Sequence, residues 1–293
     1  MNRPSAPLIV SALGVAQILA WGSSYYLPAV LAQPIAADTG WPLTWVVGGL
    51  SLGLLVSGLA APLVGRLIHR HGGRPVLAAS AVLLAAGQLG LAAAQDLMLF
   101  LGAWLLIGLG MSAGLYDAAF STLGRIYGQK ARQHITTLTL FGGFASTVCW
   151  PLSAFLVAEL GWRGACVAYA AIHLILTLSI YMLALPKQPP ALDDLKPAAD
   201  QPHVVVRART VFLAMAATIT LSAMISTVVS VHLLAILQAR DIALAAAVAL
   251  GALVGPSQVG ARFIEMLIAR YHHPIWTKVA SVLFVALGLG LLW

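Results

Sequence analysis

LTWVVGGLSLGLLVSGLAAPLVGRLIHRHGGRPVLAASAVLLAAGQLGLAAA, Leu43 to Ala94, is two apolar runs joined by a loop that holds Arg66, Arg70 and Arg74. Each run has the roughly 20 residues that an α-helix needs to cross about 30 Å of hydrocarbon. The same alternation extends in both directions. Breaking the chain at charges and prolines gives nine segments: about 8–33, 43–65, 75–95, 97–124, 135–158, 164–185, 210–237, 242–268 and 275–293. The whole 293-residue chain is 60% hydrophobic and only 9% charged, whereas soluble domains carry about a quarter charged residues. Its mean hydropathy is +0.93. The expected class is an all-α integral membrane protein, which excludes a soluble enzyme with a tail anchor. Arg3 precedes the first apolar run and Val30-Leu31-Ala32 resembles a leader cleavage site, but the length of the run argues for an uncleaved first span.

The basic residues orient the chain. With the N-terminus in the cytoplasm, the inside segments hold Arg3; Arg66, Arg70 and Arg74; Arg125, Lys130 and Arg132; Lys187, Lys196, Arg207 and Arg209; Arg270 and Lys278, thirteen of the 16 Lys and Arg. The outside loops keep Arg163 and Arg240, and Arg262 lies within a span. Lys and Arg gather on the cytoplasmic side of membrane proteins. The asymmetry therefore accounts for the pI of about 9.8 with no nucleic acid partner. The partners expected are the lipid bilayer and a small-molecule substrate.

Residues 186–209 contain five prolines and Asp193-Asp194 and read as a cytoplasmic linker. The linker divides a six-helix bundle, 1–185, from a partial bundle of three helices, 210–293. Leu67-Ile68-His69-Arg70-His71 before Pro75 is echoed by Leu267-Ile268-Ala269-Arg270-Tyr271 before Pro274. An echo across two helix hairpins points to duplicated halves. Equal halves imply twelve helices, so the expectation is a truncated chain or three further helices supplied from elsewhere.

Charges at span depth cost at least a few kcal/mol and by default carry a functional hypothesis. Here they are Asp117, Arg262 and Glu265, with His173 and His232 as weaker candidates. Arg262 has two readings, substrate or gating contact on one hand and snorkelling to the interface on the other. Glu265 shares its helix face as a structural partner, and Asp117 is a candidate proton or cation carrier. Trp21, Tyr25 and Tyr26, Tyr116, Trp150-Pro151 and the row Ser222, Ser226, Ser230 can line a polar pathway, and Gly255-Pro256-Ser257-Gln258 interrupts the eighth span. Gly49, Gly53 and Ser57, like Gly110 and Gly114, read as helix packing. Cys149 and Cys166 sit in apolar runs, and no enzyme, metal or cofactor signature is present.

GRLIHRHGGRPVL, Gly65 to Leu77, resembles the loop signature of the major facilitator superfamily in the form of its monocarboxylate transporter branch, G-x-L-x-D-R-x-G-x-R. Gly65, Leu67, Arg70, Gly72 and Arg74 match, and His69 stands where the aspartate belongs. RIYGQKARQHITTLTLFGG (Arg125 to Gly143), GWRGA (Gly161 to Ala165) and GPSQVGARFIEMLIA (Gly255 to Ala269) are similar to the same branch. The resemblance implies a twelve-helix rocker-switch transporter of bacterial type in the inner (plasma) membrane, with nine of its helices present. It further implies that Arg262 meets a carboxylate substrate. The branch's aspartate four residues before that arginine is Gln258 here, Trp104 stands where many proton-coupled relatives have arginine, and the first span has no lysine. A small organic anion remains the expected substrate, with a coupling proton or ion open. The alternatives are an exporter of amphipathic or toxic compounds, and a non-transporting fragment or partner.

Overall fold

The computed structural model describes residues 5–187, 208–268 and 274–292. Arg3, most of the 186–209 linker and the Ala269–Tyr271 part of the internal echo lie outside them. Every regular element among the described residues is helical.

Among the described residues, six apolar runs are long enough to cross a membrane, and the run Leu97–Ala184, at 88 residues, exceeds a single crossing several-fold. It is turned by a short 3₁₀ segment at Gly128–Lys130 and again at Gly161, where φ is +69°. That left-handed backbone suits a glycine, so Gly161 places the tight turn between the fifth and sixth predicted segments.

Four predicted segments are broken into two helices each. The first is α1 (Ala6–Gly22) and α2 (Leu27–Thr39), separated by Ser23–Tyr26. The second and third are the continuous helices α3 (Leu43–His71) and α4 (Gly73–Ala93). The fourth is α5 (Leu97–Gly114) and α6 (Tyr116–Tyr127), hinged at Leu115. The fifth is α7 (Ala131–Gly143) followed by α8 (Ala145–Ile172), hinged at Phe144. The α8 helix runs past Gly161 into the sixth, which continues through a π turn at His173–Thr177 into α9 (Leu178–Ala184). Beyond the linker come α10 (Ala208–Gln238), then α11 (Leu244–Ala252) and α12 (Val254–Ile268) broken at Leu253, and α13 (Pro274–Leu292).

Two of these positions correct the sequence reading. Pro151 lies inside α8 and the fifth segment breaks at Phe144, beside Gly142-Gly143. The eighth breaks at Leu253, just upstream of Gly255. The breaks in the first and fourth segments were not expected; Pro28 stands at the start of α2, and no proline flanks Leu115.

The small-residue stripes do pack helices together, as expected. A Cβ on Gly49 would collide with the Trp104 indole, and one on Gly108 would meet the Gly53 carbonyl. Trp104 is thereby buried in the α3–α5 interface rather than facing a polar pathway. The outer surface is apolar, with Leu59, Phe155, Ile175 and Phe284 exposed, as a chain facing lipid requires.

The signature loop closes α3 onto α4. Gly72 has φ +83°, a backbone that a side chain would strain. The Arg125 guanidinium donates to the His69 carbonyl, while the His69 side chain is exposed. At the other end of the bundle, Asp38 accepts from Trp162 Nε1 at 2.9 Å and pairs with Arg163, which also donates to the Ala94 carbonyl at 3.2 Å. That cluster ties the ends of the first, third and sixth segments.

Candidate functional site

A helix broken inside a bilayer frees backbone carbonyls that have no water to meet, and each must find a donor. Here the donors are side chains from other helices. Gln88 on α4 donates to the Ser23 carbonyl in the first break. The Ser23 hydroxyl lies 2.6 Å from His173 Nε2. Gln17 on α1 donates to the Gly114 carbonyl at the fourth-segment hinge, at 2.6 Å. Thr147 on α8 donates to the Ala252 carbonyl at the α11 end, at 2.7 Å. Gln17, Gln88, Ser23 and His173 are fully buried. Neutral amides and hydroxyls do this at far smaller desolvation cost than charges.

The breaks collect aromatic rings. Trp21 lies 5.2 Å from Tyr25, 5.0 Å from Tyr116 and 6.4 Å from Tyr26, ring centre to ring centre. Tyr25 and Tyr26 meet edge to face at 5.1 Å, and Tyr26 meets Trp150 the same way at 5.7 Å. Tyr116 stacks on Phe120 at 5.0 Å with 13° between planes. Trp150 and Tyr26 are buried behind, while Trp21, Tyr25, Tyr116 and Phe120 are half-buried.

Arg262 on α12 reaches across to this cluster. Its guanidinium donates to the Thr139 carbonyl near the end of α7 and approaches the Tyr116 hydroxyl. Tyr116 in turn donates to the same carbonyl at 3.4 Å. Gln258, one turn earlier on the same face of α12, approaches the Tyr26 hydroxyl. Tyr25 donates to Thr227 on α10 at 2.8 Å. Glycines permit the approach: a Cβ on Gly142 would overlap the Tyr116 hydroxyl, and one on Gly143 would lie 2.7 Å from Val259.

The structure thus brings together Trp21, Tyr25, Tyr116, Trp150, Gln258 and Arg262. Asp117 and Glu265 are exposed, and neither forms an ion pair with Arg262. Asp117 sits in the first turn of α6, where the helix dipole favours a negative charge. Ser226 and Ser230 line a cavity of about 260 Å³ with Gln258, between α10, α12 and α13. Gly65, Leu67, His69 and Arg70 lie in the last turns of α3, Gly72 joins it to α4 and Arg74 opens α4, so the expected loop is a single residue, and none of the six takes part in the ring cluster. Gln17, Gln88, Thr139 and Thr147 were missed. The two glutamines had a signal, being uncharged polar side chains inside apolar runs. Thr139 acts through its main chain, and no side-chain pattern marks that.

The same chain is 33% identical over 160 residues to human monocarboxylate transporter 11, an alignment covering 53% of this chain and 32% of the relative. It is 32% identical over 143 residues to the mouse protein of that name, covering 48% and 30%. The alignments thus span about a third of the length of these relatives. The Major Facilitator Superfamily profile matches residues 13–293. With its bundle of apolar helices, several of them broken at one cluster of polar and aromatic groups, the chain is a multi-pass membrane protein of the major facilitator superfamily of transporters.

Proposed function

We propose that this transporter moves a small organic anion of the monocarboxylate class by alternating access, with the substrate carboxylate held by Arg262. The observation that carries the reading is the position of Arg262, half-buried at the ring cluster and bonded to a main-chain carbonyl of a different pass. A guanidinium binds carboxylates in a two-pronged geometry, and a neutral carbonyl is the weaker acceptor that a carboxylate displaces. The names of the two relatives support the same class. In this reading 1–185 and 210–293 are the bundles that rock about the site, 186–209 is a cytoplasmic linker, and the protein lies in the inner (plasma) membrane with its N-terminus in the cytoplasm. Gln258 holds no charge, so a coupling proton or ion is not assigned to that position.

One observation favours a second reading. Arg262 already has a structural partner in Thr139, and the rings alone can bind amphipathic compounds for export. Saturable binding or flux of carboxylates in proteoliposomes holding the chain separates the two. Arg262→Gln should abolish it at unchanged expression and folding, whereas unchanged carboxylate handling in that variant overturns the first reading.

A further inference from the structure

Resting on that reading, we infer that the carboxylate substrate carries an aromatic or comparably flat apolar body, and that two- or three-carbon acids are poor ligands. Four half-buried rings, Tyr25, Trp21, Tyr116 and Phe120, form a continuous strip with neighbouring centres 5.0–5.2 Å apart. Three of these rings carry a polar atom, and each such atom already has a partner. Tyr25 donates to Thr227, Trp21 Nε1 donates to Gln17 Oε1 at 3.2 Å, and Tyr116 donates to the Thr139 carbonyl. What the strip leaves for a ligand is ring surface, with few donors. Arg262 stands beside Tyr116, the third of the four rings.

A short acid bound at Arg262 leaves that surface uncovered. A ring tethered to the carboxylate covers it and gains the edge or stacking contacts that aromatic pairs favour. Glu265, three residues from Arg262 on the same face of α12 and exposed, places negative charge beside the same cation. A second carboxylate on the ligand meets repulsion there, so dicarboxylates should bind more weakly.

The test is calorimetric titration of the purified chain in lipid nanodiscs with 3-phenylpropanoate, propanoate, phenylmalonate and 3-phenylpropan-1-ol. 3-Phenylpropanoate should bind at least tenfold more tightly than propanoate and than phenylmalonate. Trp21→Leu should reduce the preference over propanoate to threefold or less. Should that variant fail to fold, the ratio in the unaltered chain still decides. Propanoate binding as tightly as 3-phenylpropanoate, with both lost in Arg262→Gln, overturns the aromatic inference and leaves the carboxylate reading standing. The alcohol binding as tightly as the acid, unaffected by Arg262→Gln, overturns the carboxylate reading. No saturable binding of any probe, by a chain that still unfolds cooperatively, overturns both.

Discussion

Gly255→Ala tests the junction on which the position of Arg262 depends. A methyl group there would lie 2.7 Å from the Gly143 carbonyl oxygen and closer still to Thr147 Oγ1. The carbonyl belongs to the backbone and cannot rotate away; the threonine can, but only by giving up its bond to the Ala252 carbonyl. Overpacking of this kind costs about 1–3 kcal/mol. A buried carbonyl left without a donor costs about 1–3 kcal/mol more. Alanine's helix propensity returns roughly 1 kcal/mol, so the net loss is about 3 kcal/mol. Gly260, five residues on in the same helix, has nothing within 4 Å of a Cβ. There the propensity gain stands alone, and Gly260→Ala should stabilise by up to about 1 kcal/mol. Thermal unfolding in detergent, at roughly 2 °C per kcal/mol for a chain of this size, should place the two midpoints on opposite sides of the parent, with Gly255→Ala about 6 °C lower. Adding Thr147→Ala to Gly255→Ala should recover part of that loss, because the hydroxyl clash goes and the carbonyl clash stays. Equal midpoints for Gly255→Ala and Gly260→Ala would refute the α7–α8/α12 junction. Gly255, Val259 and Arg262 lie on one face, so a displaced α12 also withdraws Arg262 from Thr139.

Gln17→Leu leaves the Gly114 carbonyl and the Trp21 indole without their partner; it should destabilise by about 2 kcal/mol, read as a lower unfolding midpoint and a shifted tryptophan emission, and a parent-like spectrum counts against the positioning role. His69 contributes its carbonyl to Arg125 and exposes its side chain, so His69→Asp should keep at least half of carboxylate binding, and a full loss at normal expression would reveal a role for the imidazole. Single cysteines near Lys196 should resist impermeant thiol reagents in intact cells while one near Asp96 reacts; the opposite pattern overturns the topology. Asp117→Arg and Arg262→Asp should each abolish flux if the two charges meet as a gate in another state of the cycle. Partial recovery in the double variant supports the gate, and a double variant no better than either single one removes it.

The membrane class was legible because bulk composition reports it: a few apolar runs of the right length suffice, whatever their packing. Arg262 was legible for the opposite reason, since a charge is costly in a span and therefore rare. The hinges were harder. Pro151 lies inside α8, since a membrane helix tolerates proline, while Ser23–Tyr26 breaks just ahead of Pro28 and Leu115 breaks with no proline beside it. What permits those breaks is a donor on another helix, Gln88 for the first and Gln17 for the second. Such long-range pairing has no local signature. The Thr139 carbonyl is invisible to residue patterns for the same reason.

The capped carbonyls fall into two kinds, and the difference bears on how such a bundle moves. Gln88 with Ser23, and Gln17 with Gly114, join helices that precede the linker. Thr147 with Ala252, and Arg262 with Thr139, join a helix before the linker to one after it. If the two sets rock as rigid bodies, the first pair of bonds persists through the cycle and the second pair must break. A buried carbonyl stripped of its donor is costly, so separation needs a replacement on each side. Water entering the opened cleft can serve Ala252 and Thr139, and a substrate carboxylate can serve Arg262. The carboxylate then stabilises whichever state frees the guanidinium from Thr139, and that differential interaction is what a ligand must have to shift a two-state equilibrium. In the proposed function the Thr139 carbonyl is the resting partner of the binding group, and under that proposal this carbonyl, and the glycines beside it that let Arg262 approach, serve transport as well as the fold.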